Sequence, residues 1–381
     1  MTKISIVSMN LSTNCTARSL ALAEALAPSY EVELVGTIFG GGGRALWPPI
    51  RDTKFPMRSV AGDLLPGYLP HMRALLRLMD GDLIIACKPR LPSFGLAMVK
   101  RAMSGTPVIL DVDDDELAQT VPGKQASLVS KLRNTSGYLH TRLIHPLHTR
   151  ADAVLSVSEF FRKRYGGVIV PHGRDAKLFD PARFDRQAVR RQLGFSDDDL
   201  VVGFIGTAQR QKGTDLVATA AEKANNPRIR VMIAGAAAEG DDFTDELRRR
   251  FGDRIVLIPP FPYSRVAEMH AAADVIVLPQ RNVPESLGQM PAKLTDAMAM
   301  GKIIIASALS DIPKYLDGCG LLVPPDDEAA ITEKLVWISS NRAAAEALGR
   351  KARDRFLRDM TYDTMRATMT PVIEDLLRKP H

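Results

Sequence analysis

The sequence predicts an α/β protein built from two doubly wound parallel-sheet domains. Three observations carry that prediction. Short, almost wholly apolar segments alternate with helical stretches, as in parallel strands buried on both faces. The pattern stops in a charged stretch at residues 173–196 that contains Asp180-Pro181, then restarts near residue 200. At about 150 residues per domain, the 381 residues allow two or three domains. Two doubly wound domains of similar size place a ligand in a cleft, at the C-terminal ends of the strands.

The elements follow in order. In the first half, residues 4–9 read as a strand, 10–16 as a polar turn, 17–27 as an alanine- and leucine-rich helix and 31–35 as an alternating strand. Residues 40–43 are a glycine loop. Strands follow at 82–86, 107–111, 153–158 and 168–171, with a helix at 93–103. In the second half, strands are expected at 200–206, 229–235, 255–258, 275–278 and 302–306, with a helix at 215–224. Residues 365–377 carry Met365, Met369, Val372, Ile373, Leu376 and Leu377 at helical spacing, as a docked helix would. The expected division is 1–175 for the first domain, 176–198 for a linker, 199–360 for the second domain and 361–381 for a helix that crosses back to the first.

Composition narrows the class. Apolar residues make up 45% and charged residues 25%, which excludes disordered and collagen-like chains. No apolar run approaches the roughly 20 residues of a membrane-spanning helix. The first residues lead into a strand without the longer apolar stretch of a secretory leader. The three cysteines, Cys15, Cys87 and Cys319, form no C-x-x-C pair. A reduced, cytoplasmic setting is expected.

The charge is one-sided. Residues 1–180 hold 22 Lys+Arg against 16 Asp+Glu, a net of +6, whereas residues 181–381 hold 28 of each. Between Leu117 and Ala151 there is no acid, while Lys124, Lys131, Arg133, Arg142 and Arg150 occur there with His140, His145 and His148. An anionic partner for the first half is implied, and an anionic membrane surface is a candidate. Leu128, Leu132, Leu139, Leu143 and Leu147 recur in the same stretch at near-helical spacing; most of this stripe is expected to face the core, with part of it a candidate for lying on a membrane. His145-Pro146-Leu147-His148 has no neighbouring acid or cysteine to complete a metal site and reads as basic surface.

Neither half contains a G-x-G-x-x-G or Walker A motif, so dinucleotide and P-loop readings are disfavoured. Gly206 to Gly213, in contrast, follow a strand and precede a helix. The backbone N–H groups and helix N-terminus favour a phosphate there, and Arg210 and Lys212 add charge to the same turn. Lys293 and Asp296, three residues apart, share one face at the start of a short apolar helix that ends at Gly301. Lysine for a diphosphate and aspartate for ribose hydroxyls would suit a sugar nucleotide; a surface ion pair is the plainer alternative. Asp111-Val112-Asp113-Asp114-Asp115-Glu116 follows a strand and contains D-x-D, a pattern that can hold a hard cation.

As an ordered set these segments resemble the GT-B fold, nucleotide-sugar-dependent retaining glycosyltransferases of group 1. The resemblance rests on 151–158 followed by Val170-Pro171-His172-Gly173-Arg174-Asp175, on 204–213, on 272–279, on 293–301 and on 320–326. It implies two Rossmann-like domains facing across a cleft, the first for the acceptor and the second for the donor. It also implies transfer of a hexosyl group from a nucleoside diphosphate sugar to a glycan or lipid-linked hydroxyl, with retention and no required metal or cofactor. Such a role suits bacterial surface polysaccharide synthesis at the inner face of the plasma membrane.

By the same resemblance, Arg210 and Lys212 are the catalytic cations. Gly206, Thr207, Lys293, Leu294, Asp296, Glu285 and Gly288 are donor-site positions, and Asp113, Asp114 and His172 are acceptor-site positions. The pattern departs from the family in several places: the glycine pair expected in the first strand–helix turn is missing, and Asp296 stands for the second donor-loop glutamate, one methylene shorter. The first of two donor-loop glutamates is replaced by Gly288, with Glu285 nearby, and the arginine after the first glycine is Thr207. Pro291-Ala292-Lys293-Leu294-Thr295-Asp296 matches a branch with a Pro-x-Lys-Leu-x-acid pattern. Two rivals remain. A sugar-nucleotide epimerase of the same fold lacks support, because its Gly-Thr-Arg-Pro-Glu signature is absent. A catalytically silent binding subunit draws support from Gly288.

Overall fold

The computed structural model describes residues 1–40, 45–53, 55–120, 127–236 and 241–379, apart from the side chain of residue 211. Most of the glycine loop at 40–43, and Lys124, lie outside the described residues. The chain divides into two compact units, Met1–Gly173 with Tyr362–His381, and Arg174–Thr361.

The first unit is a seven-stranded parallel sheet. Its strands are β1 (Lys3–Ser8), β2 (Glu31–Ile38), β3 (Met57–Ala61), β4 (Leu83–Cys87), β5 (Val108–Val112), β6 (Ala153–Ser156) and β7 (Val168–Ile169), in the order β3-β2-β1-β4-β5-β6-β7. Ile6 of β1 lies in register with Leu34 on one side and Ile85 on the other, an apolar row on one face, and Ser5 and Val7 are buried on the opposite face, so the central strand is covered on both. The helix Thr16–Leu26 covers one face with Leu20, Leu22, Ala23 and Leu26. The C-terminal helix Tyr362–Arg378 packs beside it through Met365, Met369, Ile373 and Leu376. The Tyr362 hydroxyl donates to Glu24, 2.8 Å away, and Arg366 donates to the Ala25 carbonyl.

The second unit repeats the plan with six strands: β8 (Leu200–Ile205), β9 (Ile229–Ala234), β10 (Ile255–Ile258), β11 (Val275–Leu278), β12 (Ile303–Ser307) and β13 (Leu321–Val323). Their order is β10-β9-β8-β11-β12-β13, all parallel. Residues 176–198, read from the sequence as a linker, contain the helix Arg186–Gln192 and belong to this unit. Strands β3 and β13 are not anticipated by the sequence; both are short, and β3 is flanked by no continuous apolar run.

The strand order reverses at β1 in the first unit and at β8 in the second. Ligands of doubly wound sheets bind at such points, beyond the C-terminal strand ends. Those ends carry Asn10 and Lys88 in the first unit, and Gly206 and Pro279 in the second.

Two expectations fail here. Leu128, Leu132 and Leu143 do not face the core: their exposures are 70%, 49% and 65%. They sit on the helices Leu128–Arg133 and Tyr138–Ile144, and Val129 beside them is equally open. Helical periodicity shows that a helix has two faces, but not which face meets the core. His145 and His148 are also more than basic surface. Their rings and that of Tyr165 make mutual edge contacts at 5.1–5.4 Å, and His145 Nε2 lies 2.7 Å from the Tyr165 hydroxyl. Burial, aided by Arg164, lowers the His145 pKa.

Candidate functional site

The site in the second unit is built on the turn after β8. Gly206 leaves the strand at φ 131°, and a Cβ at this position would fall 2.1 Å from Lys293 Cε. Only glycine lets the Lys293 side chain lie against the turn. Gly213 closes the turn at φ 68°, where a Cβ would meet the Pro279 carbonyl oxygen at 2.2 Å. The helix Thr214–Lys223 then begins, and Gly213 provides no side-chain cap. Thr214 Oγ1, fully buried at the first helical position, has no hydrogen-bond partner among the described residues. A helix N-terminus with uncapped donors at a strand crossover is suited to an anion.

Two lysines converge on this turn. Lys293 comes from the helix Ala292–Ala299, with its ammonium 5.5 Å from the centre of the Phe204 ring. Burial, reinforced by the charge of Lys212, lowers its pKa to about 8, while Asp296 pulls the other way. Lys212 Nζ donates to Gln289 Oε1 at 3.3 Å, and Gln280 donates to the same oxygen at 2.8 Å. Two positive charges held this close, one partly stripped of water, are poised for a ligand with two or more negative charges.

The structure sorts the other donor-site expectations. Arg210 does not join the lysines. Its guanidinium pairs with Glu246 and stacks 4.8 Å from the centre of the Phe243 ring, with the side chain 63% exposed. Its backbone carbonyl accepts from Arg281, which also binds Asp215 and Asp326 and so braces the turn. Asp296 is not displayed to solvent: it is 5% exposed and accepts from Arg174 Nε at 2.5 Å. Arg174 is itself buried, between the rings of Phe179 and Tyr263. Leu294 is a core residue, Thr207 is exposed, and Glu285 lies exposed in the turn Pro284–Ser286. Gly288 adopts φ 77° and donates its N–H to Ser310 Oγ at 2.7 Å.

In the first unit, Asp113 and Asp114 are engaged internally rather than open to acceptor hydroxyls. Oxygens of Asp113, Asp114 and Glu116 converge within 4.8 Å, as they would around a cation. The ammonium of Lys88 stands among them, at 2.8, 2.6 and 2.7 Å respectively. Arg90 pairs with Glu116 from the other side. Burial pushes the Asp113 carboxyl up to about 7, against the pull of Lys88. The same burial would lower the Lys88 pKa, but the surrounding carboxylates outweigh it and hold the group charged. Lys88 has φ 73°, a left-handed conformation that a lysine adopts only under constraint. Next to this cluster, Asp111 is buried in a pair with Arg18 at 2.7 Å. Arg18 also donates to the carbonyls of Val170 and Pro171, fixing the segment that leads to His172, which is half-buried.

Sequence reasoning missed Lys88, Arg90 and Arg174. The Arg174 signal was present, in Pro171-His172-Gly173-Arg174, but its partner lies 122 residues away. Lys88 carried no local signal.

Comparison with known proteins supplies the family and the fold. Residues 15–175 match the family model described as a glycosyl transferase 4-like domain, and residues 185–355 match that of glycosyl transferases group 1. The chain belongs to the group 1 glycosyltransferase family. A curated relative, D-inositol 3-phosphate glycosyltransferase of Geodermatophilus obscurus, is 30% identical over 223 residues, covering 55% of this chain and 48% of its own. The chain thus spans about half the length of the curated relatives it matches. Among solved structures, sucrose-phosphate synthase from Thermosynechococcus elongatus aligns over 99% of both chains with TM-score 0.73 and 20% identity. Anabaena HepE, solved in complex with UDP and glucose, aligns over 98% of this chain and 100% of its own with TM-score 0.75 and 17% identity. At these identities the likeness shows the fold, which is GT-B.

Proposed function

We propose that this group 1 glycosyltransferase chain transfers a hexosyl group from a nucleoside diphosphate sugar to a hydroxyl group. The observation that carries the reading is the pair Lys212 and Lys293 at the glycine turn after β8, beside an uncapped helix N-terminus. In the reaction, the bond between the anomeric carbon and the diphosphate oxygen breaks and a bond to the acceptor oxygen forms. The acceptor proton passes to the departing diphosphate. Charge accumulates on that diphosphate, and preorganised cations aimed there lower the barrier. Lys212, Lys293 and the helix N-terminus supply this charge, so the proposed reaction uses neither metal nor cofactor. Arg174 holds Asp296 and hence the helix that carries Lys293. The UDP and glucose bound by HepE support a nucleotide-sugar donor, and the family likeness supports retention of configuration.

The first unit is read as the acceptor unit. Its net charge of +6 suits an anionic or lipid-linked acceptor of the kind used in surface polysaccharide synthesis. Leu128, Val129, Leu132 and Leu143 stand exposed on the same two helices as Lys131, Arg133 and Arg142. Apolar side chains among basic ones suit the surface of an anionic bilayer, and the chain is read as working at the cytoplasmic membrane face. Among the described residues no helix is long and apolar enough to cross a membrane. Vesicles containing anionic lipid should co-sediment the protein at low salt, and a Lys131/Arg133/Arg142 triple alanine variant should stay in solution. Equal binding of the two proteins rejects the membrane reading.

The decisive assay is sugar-nucleotide turnover with lipid-linked and soluble glycan acceptors, followed by mass spectrometry. A silent binding subunit, favoured by Gly288 and by the internal pairing of Asp296, would bind the nucleotide without turnover.

A further inference from the structure

A second cationic cluster lies at the opposite end of the six-stranded sheet. Asp274 immediately precedes β11, and its buried carboxylate is surrounded. Arg190 Nη2 donates to Oδ2 at 2.5 Å, and the Val201 N–H at the start of β8 donates to the same oxygen at 2.8 Å. Arg186 and Arg342 both converge on Oδ1, Arg342 at 3.1 Å. Lys302, just before β12, donates to the carbonyls of Ala271 and Ala273 at 3.3 and 2.9 Å. Burial, with Arg186 and Arg190 nearby, lowers the Lys302 pKa to about 7 even though Asp274 works against this.

Three guanidiniums thus share one carboxylate, and the Lys302 ammonium lies within its electrostatic reach. Glu346, 4.0 Å from Arg342 Nε and mostly in solvent, is the second acid at hand. Asp197 and Asp199 offer backbone carbonyls to Arg190, while the Asp199 carboxylate caps Ser196.

The four are not equivalent. Arg190 is buried and saturated by Asp274 and the carbonyls of Ala272, Asp197 and Asp199. Arg186 and Arg342 are open to solvent, with side-chain exposures of 45% and 37%, and share one oxygen that a single guanidinium would satisfy. Arg342 is also the first residue of the 18-residue helix Arg342–Asp359, where Asn341 gives no side-chain cap and no acid occupies the first turn. An arginine at a helix N-terminus opposes the helix dipole, so this end carries uncompensated positive potential. Two partly exposed guanidiniums, both on one Asp274 oxygen and standing at the start of a helix without a side-chain cap, keep N–H donors that match the tetrahedral oxygens of a phosphate.

We propose that Arg186, Arg342 and the start of the helix Arg342–Asp359 form a binding site for a small phosphate-type dianion, separate from the glycine turn after β8. The site is about one strand length, roughly 20 Å, from the donor turn. It is linked to that turn by packing. The helix Arg342–Asp359 lies along the donor helix Ala292–Ala299, and a Cβ at Gly349 would meet the Gly301 carbonyl oxygen at 2.4 Å.

The test is calorimetric titration of the full chain with inorganic pyrophosphate and with inorganic phosphate, in buffer free of other multivalent anions. Wild type should show two independent pyrophosphate sites. Arg186→Gln/Arg342→Gln should weaken one of them about tenfold or more and leave the other intact. Asp274 keeps Arg190 and the Val201 N–H in this variant, and an unchanged circular dichroism melt confirms the fold. Lys293→Met should weaken the other site alone. Arg342→Lys, which keeps the charge but loses the fork, should bind with intermediate strength. One pyrophosphate site in wild type, or two undiminished sites in the double variant, overturns the proposal.

Discussion

Replacing Lys293 with methionine should make the protein more stable and a poorer nucleotide binder. The side chain lies against the Gly206 turn, and burial holds its pKa at about 8, against an ordinary 10.5. The folded state therefore penalises the charged ammonium. At about 1.4 kcal/mol for each tenfold change in proton affinity, the ceiling on that penalty is about 3 kcal/mol. Partial solvent access reduces it, so a gain of about 1–2 kcal/mol is the expected net effect of removing the charge. Methionine keeps most of the volume. Asp296 stays neutralised by Arg174, so no buried acid is orphaned.

For a unit of this size that gain corresponds to a rise of several degrees in melting temperature at pH 7. The sign with pH follows from linkage. The folded pKa lies below the unfolded one, so the cost of Lys293 is complete below pH 8. It fades as pH rises from about 8 towards 10.5, because the unfolded chain binds the extra proton. The advantage of the variant should shrink over that window. UDP affinity should fall roughly tenfold to a hundredfold, the worth of one charge-assisted contact. Wild-type affinity should itself fall as pH rises through about 8, where the ammonium deprotonates. Differential scanning calorimetry and UDP titration read both effects. A variant that melts below wild type at pH 7, or binds UDP as tightly, refutes the assignment.

The other predictions rest on the same unit. Lys212→Ala should lower turnover by about 10²-fold or more, because its charge counts most as the diphosphate departs, whereas Arg210→Ala, already paired with Glu246 in solvent, should cost little; initial-rate kinetics that show the reverse order would exchange their roles. Arg174→Ala strands the Asp296 carboxylate in the interior and should destabilise the protein by about 3–5 kcal/mol. Arg174→Met combined with Asp296→Leu should recover most of that loss in chemical denaturation, and a single variant that unfolds like wild type would contradict the pairing.

The sequence alone determined the two α/β units, the central strands and the glycine turn with the lysine helix near it. Each is a local property: continuous apolar runs specify strands buried on both faces, and a glycine between strand and helix marks the turn. The side-chain partners were decided elsewhere. Asp296 looked free to receive ribose because Arg174, its partner, is 122 residues distant; Asp113 and Asp114 looked open because nothing local announced Lys88. Arg210 and Lys212 looked alike because they share a turn, yet Glu246 and Phe243 draw one away while Gln289 holds the other beside Lys293. Leu128, Leu132 and Leu143 carried a helical period and still face solvent. Period and propensity act over a few residues, so they are written in the chain. Which charge meets which, and which face of a helix is covered, depends on surfaces that come together only when sheets and helices close, and that is where the tertiary structure decides.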